Sequence, residues 1–126
     1  MPAKVVDASA LAAVLFGEPE APSIAERLGD SPLTAPTLFS YEIANICWKK
    51  LRRHPQQRPE ILEAYSLLRR MKVEEVEVPM AEVLLLADQL NLTAYDASYL
   101  WLSRKLGLEL VTVDGALKRA AEAPSE

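Results

Sequence analysis

Four short apolar runs, at residues 4–6, 33–35, 73–78 and 110–113, are separated from one another by stretches with helical periodicity. That alternation constrains the chain more than any other feature. Strands that recur only after helical crossovers pair in parallel, because tight hairpins are unavailable to them. A parallel sheet must be covered on both faces. The expectation is an α/β fold of three layers, α/β/α, with a short, mainly parallel central sheet in a single domain spanning residues 1–126.

Between the runs, residues 8–16 read as a helix with Leu11, Val14 and Leu15 on one face, stopped by Gly17. Residues 23–28 form a second helix after Pro19 and Pro22, and a longer one runs from Thr37 to about Arg53. A polar loop at 54–59 follows. Residues 61–71 then place Ile61, Leu62, Tyr65, Leu68 and Met71 at helical spacing. Pro79 opens a helix to about Asn91 with Val83, Leu84, Leu86, Ala87 and Leu90 as its apolar positions. The unit 94–117 is a helix, a glycine stop and a strand, followed by a last helix from Asp114 to about Ala123 and a polar tail at 121–126. If the helix of that unit packs back along its strand, Asp96 in its first turn and Asp114 after the strand reach the same edge.

Composition removes several chemistries. One cysteine, Cys47, excludes an internal disulfide and fits a reducing, cytoplasmic compartment. With a single histidine, His54, neither a four-ligand zinc site nor a histidine-based triad is expected. Any metal must be held by oxygen. The start of the chain leads straight into a strand rather than a leader, and no apolar run approaches a membrane span. A net charge of −4 argues against binding nucleic acid through bulk charge, though not against a local basic rim. No Walker loop or G-x-G-x-x-G is present. Asp7-Ala8-Ser9 is not the D-x-D of phosphoaspartate transfer.

Four acids stand out. Asp7 and Asp114 lie at carboxyl ends of strands, where open α/β sheets bind ligands. Both also have the position of helix N-caps, and Thr93-Ala-Tyr-Asp96 resembles a capping box. Glu42 falls at the margin of the apolar face formed by Phe39, Ile43, Ile46 and Cys47, with Asn45 and Lys49 continuing its strip. A half-buried carboxylate there needs a partner, either an ion pair with Lys49 or a coordinated cation. Asp96 lies between Tyr99 and Leu100 on the side expected to face the core. Two unit charges about 4 Å apart repel by roughly 4 kcal/mol at an effective dielectric near 20. Gathering all four acids at one crevice therefore calls for a divalent cation, and Mg²⁺ or Mn²⁺ matches oxygen donors. Such a site suits phosphodiester hydrolysis. Asp7 and Asp96 are the leading ligand candidates, with Glu42 and Asp114 completing the shell.

The order V-V-Asp7-A-Ser9, Y-Glu42-I-A-Asn45, Y-Asp96-A-S-Y-L and L-V-Thr112-V-Asp114 resembles the PIN domain, and within it the VapC-type toxins. The resemblance covers the chain from Asp7 to the helix after Asp114. It implies an endoribonuclease dependent on Mg²⁺ or Mn²⁺, with Asp7, Glu42, Asp96 and Asp114 as the acidic cluster. It also implies Ser9 and Thr112 as orienting hydroxyls, Asn45 as polar support, a homodimer, and silencing by a cognate antitoxin. RNA-processing without an antitoxin and a catalytically silent binding module are the alternatives. The paired basic residues mostly fall in last helical turns, where cations complement the dipole; Lys49, sharing the Glu42 strip, is the first candidate RNA contact. Trp101, where such toxins usually carry a small residue, reads as an interface residue away from the core. Trp48, opposite its helix's apolar face, and the Leu15–Phe16 edge are further candidates for that surface.

Overall fold

A computed structural model describes residues 2–123. Strands β1 (Lys4–Val6), β2 (Leu33–Pro36), β3 (Val73–Val76) and β4 (Leu110–Val111) form one sheet in the order β3-β2-β1-β4, with every pair parallel. Among the described residues, seven α-helices connect and follow them: α1 (Ala8–Leu15), α2 (Ala21–Leu28), α3 (Phe39–Arg53), α4 (Arg58–Arg70), α5 (Met80–Leu90), α6 (Ala94–Leu106) and α7 (Gly115–Glu122). The chain steps from β1 to β2 to β3 in one direction, then returns past β1 to β4. Parallel crossovers are right-handed, so opposite directions of travel put α1–α4 and α5–α6 on opposite faces. The expected three-layer α/β fold is the one observed.

The strand order reverses at β1. Val5, Val6 and Val111 there are fully covered, by Leu11 of α1, by Leu100 and Leu102 of α6 and by Leu117 of α7, which belong to the same core cluster. Burying each such side chain contributes roughly 1.5–3 kcal/mol. Helix α6 packs on β1, β2 and β4 and also against α5 and α7. It is consequently buried nearly all round, and its inward hydroxyls are satisfied within the chain. Ser98 donates to the Tyr95 carbonyl and Ser103 to the Leu108 carbonyl, each at 2.6 Å.

Several boundaries differ from the sequence expectation, each for a local reason. β4 ends at Val111 rather than 113 because β1 ends at Val6, and the last rung is the Asp7 N–H to the Val111 carbonyl at 3.0 Å. β3 ends at Val76, whose carbonyl accepts from Thr37 N–H as the neighbouring chain leaves the sheet. Pro22 and Pro59 sit inside the first turns of α2 and α4, where a missing N–H costs nothing, so both helices begin earlier than expected. A short 3₁₀ turn, Pro55–Gln57, occupies part of the expected loop. Residues 121 and 122 of the expected tail belong to α7, and residues 124–126 lie outside the described residues.

Several side-chain placements also change. Trp101 does not face away from the core: it is half-buried against α5 beside Val83, Ala87 and Ala97, and its indole N–H donates to Glu82 at 3.2 Å. The outer layer contributed by α5 makes that side of α6 an interior. Leu84, expected in the apolar face of α5, is exposed, as are Leu62 within α4 and Met71 at its C-terminal end. Phe16 packs on the core edge beneath the Lys50 ammonium, 4.6 Å from its ring centroid.

Gly107 ends α6 in the left-handed region at φ 66°, and the Leu108 N–H then reaches the Ser103 carbonyl at 3.0 Å. This turn aims β4 back along α6. A Cβ at Gly107 would meet nothing within 4 Å, so the cost of substitution is backbone strain alone. Gly107→Ala is expected to lower stability by about 1 kcal/mol and Gly107→Asn by less. Urea unfolding should show a lower midpoint with an unchanged slope; equal midpoints for Gly107→Ala and the native chain would contradict it.

Candidate active site

All four predicted acids line one cavity of about 250 Å³, together with Ala8, Ser9, Asn45, Ile46 and Lys49. Its position, outside the carboxyl ends of β1 and β4 where strand order reverses, is the one open parallel sheets use for ligands. A separate cavity of about 340 Å³ between α1 and α3 shares Ser9, Ile46 and Lys49 with it but contains none of the four acids.

Each acid is delivered by a different local device. Asp7 follows β1 and caps α1 with extended backbone. Its Oδ1 accepts from the Ser9 N–H at 3.3 Å, while Oδ2 accepts from the Ser9 hydroxyl at 2.8 Å and the Thr112 hydroxyl at 2.6 Å. It is only 5% exposed. Thr112 Oγ1 also accepts from the Asp114 N–H at 3.0 Å, which ties the two strand-end acids through one hydroxyl. Asp114 caps α7 by accepting from the Leu117 N–H at 2.8 Å. Thr93 caps α6 by accepting from the Asp96 N–H at 3.1 Å, holding Asp96 in the first turn. Capping and clustering are therefore not competing accounts of Asp7 and Asp114. The caps are what make those carboxylates stiff.

Glu42 lies in the first turn of α3 and accepts a 2.6 Å hydrogen bond from the Tyr99 hydroxyl. The ion pair with Lys49 is not formed; among the described residues the ion pairs are Lys4–Glu109, Arg27–Glu109 and Lys50–Glu18. Lys49 and Asn45 stand exposed at the cavity rim. Tyr99 is the site residue that wheel reasoning missed as a partner, because its place on the core side disclosed burial and not where its hydroxyl points. The available signal was its position three residues after Asp96, on the same helical face.

The electrostatics follow from burial first and from the crowding of the acids second. Burial pushes the Asp96 carboxyl up from 3.8 to about 6, and the nearby charges of Asp114 and Asp7 add to the rise while a Thr93 hydrogen bond opposes it. Burial also raises Glu42; the Tyr99 hydrogen bond counteracts this, and the Asp7 and Asp96 charges reinforce it. The Tyr99 phenol is raised too, first by burial and then by its bond to Glu42, so it remains a neutral donor. Among the described residues, no three His, Cys, Asp or Glu side chains are drawn together as a preformed metal cage. The four carboxylates border a shared cavity without closing on one point.

A family model for the PIN domain matches residues 4–123. Ribonuclease VapC3 of Pyrobaculum aerophilum is 34% identical to this chain over 119 residues, covering 90% of each protein. The crystal structure of PAE2754, also from Pyrobaculum aerophilum, matches with a TM-score of 0.70 at 30% identity, over 96% of this chain and 81% of that one.

A raised carboxyl pKa favours the protonated form in the folded state. The stabilisation linked to Asp96 is thus complete below its unfolded value of 3.8 and is lost as pH rises through about 6. Asp96→Asn removes the charge. In EDTA at pH 7.5 it is expected to stabilise the protein by about 1 kcal/mol after allowance for solvent screening, a few degrees in Tm. The gain should vanish near pH 4. Thermal melts across that range check it, and a variant melting below the native chain at pH 7.5 would refute it.

Proposed function

The chain belongs to the PIN domain family, and from that premise we propose that it is a Mg²⁺- or Mn²⁺-dependent endoribonuclease of the VapC type, the toxin of a type II toxin–antitoxin pair. The observation that carries this reading is the meeting of Asp7, Glu42, Asp96 and Asp114, from four separate segments, around one cavity. A binding scaffold gains nothing from such concentrated negative charge, and Glu42 and Asp96 are raised first by burial and further by the charges of the neighbouring acids. The similarity to ribonuclease VapC3 supports RNA as the substrate.

The donor set fits a hard divalent cation, since it offers carboxylate oxygens alone. Asp7, Glu42, Asp96 and Asp114 would hold it. When bound, the cation supplies Lewis-acid charge that lowers the pKa of water and offsets the negative charge developing on a phosphodiester. The protein's part is positioning. Ser9 and Thr112 keep Asp7 in one orientation, and Thr112 keeps the Asp114 turn against it. Lys49 at the rim contributes a positive charge toward the phosphate of an incoming single strand, and Asn45 a polar contact beside it.

In this reading the protein acts in the cytoplasm as one domain, pairs as a homodimer and is silenced by a cognate antitoxin. Exposed aromatic and aliphatic side chains support a partnered surface. Tyr41 and Trp48 project from α3, and Leu84 and Leu85 from α5. Among the described residues, no helix is long and apolar enough to cross a membrane. A neighbouring gene for a small DNA-binding antitoxin would distinguish the toxin from an RNA-processing relative.

Purified protein is expected to cleave single-stranded RNA with Mg²⁺ or Mn²⁺, and to lose cleavage in EDTA. Asp7→Asn should reduce the rate by about 100-fold or more. Cleavage that survives both the chelator and the substitution would overturn the proposal.

A further inference from the structure

Three of the four acids owe their placement to backbone caps, whereas Glu42 is held by a single side chain. Its carboxylate accepts from the Tyr99 hydroxyl at 2.6 Å, the length of a strong charge-assisted bond. That bond occupies Oε1. Among the described residues no other hydrogen bond reaches the Glu42 carboxylate, so Oε2 is without a protein partner on a residue that lines the cavity. We propose that Tyr99 is a positioning residue that fixes Glu42 to offer one oxygen, not two, and so favours small octahedral cations such as Mn²⁺ and Mg²⁺ over Ca²⁺. The inference rests on the metal-site reading above.

The physical argument has three parts. A glutamate side chain has three rotatable bonds, and at a cavity margin it samples several of them unless it is tethered. The tether here is rigid, because the Tyr99 ring is 0% exposed and α6 is packed against the sheet on one side and α5 on the other. Tyr99 also follows Asp96 by one helical turn, so α6 presents one acid and the anchor of a second in a fixed relation. The consequence for ion choice comes from coordination chemistry. Ca²⁺ accommodates many oxygens and bidentate carboxylates, while Mg²⁺ demands compact octahedral geometry. The phenol takes one lone pair of Oε1 and fixes the carboxylate's rotation, which disfavours symmetric chelation through both oxygens and leaves Oε2 the better donor. A buried tyrosine that merely needed a partner for its hydroxyl would leave ion preference untouched.

Calorimetric titration of the native chain with Mn²⁺ and, separately, Ca²⁺ tests this. Tyr99→Phe keeps the ring and its packing. It is expected to weaken Mn²⁺ binding roughly tenfold, as loss of outer partners of metal ligands does, and to lower the Mn²⁺/Ca²⁺ affinity ratio. In a Glu42→Gln background the same change should have no further effect on Mn²⁺ affinity. An unchanged affinity and ratio in Tyr99→Phe, or an equal loss in both backgrounds, would overturn the inference. Should Tyr99→Phe fail to fold, Glu42→Asp serves instead. It is one methylene too short to reach phenol and cavity together and should lower the ratio likewise; an unchanged ratio would count against the idea. Asp7→Asn separates the two levels. Native Mn²⁺ binding that ignores Asp7→Asn would defeat the metal-site reading, whereas binding lost there but unaffected by Tyr99→Phe would defeat only this one.

Discussion

The hydrogen bonds converging on Asp7 join the backbone ladder to the charge cluster. Its N–H makes the last rung to Val111, and its carboxylate accepts from the Ser9 N–H and from the hydroxyls of Ser9 and Thr112. Thr112 carries the connection onward to Asp114. Because β1 sits between β2 and β4, this small network lies at the one place where the sheet's two halves diverge. The cavity is the gap that the divergence leaves. A change to this network alters the last rung, the α1 cap and the acid's orientation together.

Around that network the protein tolerates an arrangement that opposes its own stability. The Asp7 and Asp96 charges press on Glu42, and the Asp114 and Asp7 charges press on Asp96, in surroundings that already disfavour ionisation. The rest of the fold sustains this through packing. Helix α6, buried against sheet and helices on several sides, carries both Asp96 and the Tyr99 anchor of Glu42. Rigid helices holding carboxylates near one another are unfavourable for a bare fold and well suited to one that binds a cation.

The legibility of the chain varied with how local the cause was. β1 and the start of every later strand followed from β-branched and apolar runs, and their parallel arrangement from the helices between them. Strand ends were less legible, because a ladder stops where its neighbour leaves the sheet, as β4 does when β1 ends at Val6. Trp101 shows the same limit in side-chain form. Its wheel position opposes the face toward the sheet, yet α5 covers that side as well, and a wheel drawn from one helix contains no information about a second layer. Leu84 shows the converse, an apolar residue counted to the core that the structure leaves at the surface.

For the site, residue type and order along the chain determined which acids to consider, since a carboxylate at a strand end or on an apolar margin is costly unless it has work to do there. Local spacing also determined the Asp7 and Asp114 caps and the Thr93 cap before Asp96, as these bonds span three residues or fewer. Only the tertiary structure decided how the acids are held. Thr112 lies 105 residues from Asp7, and Tyr99 lies 57 from Glu42. Hydrogen bonds over such separations depend on the relative placement of whole elements. That placement is set by β1 lying between β2 and β4 and by α6 being buried on several sides at once.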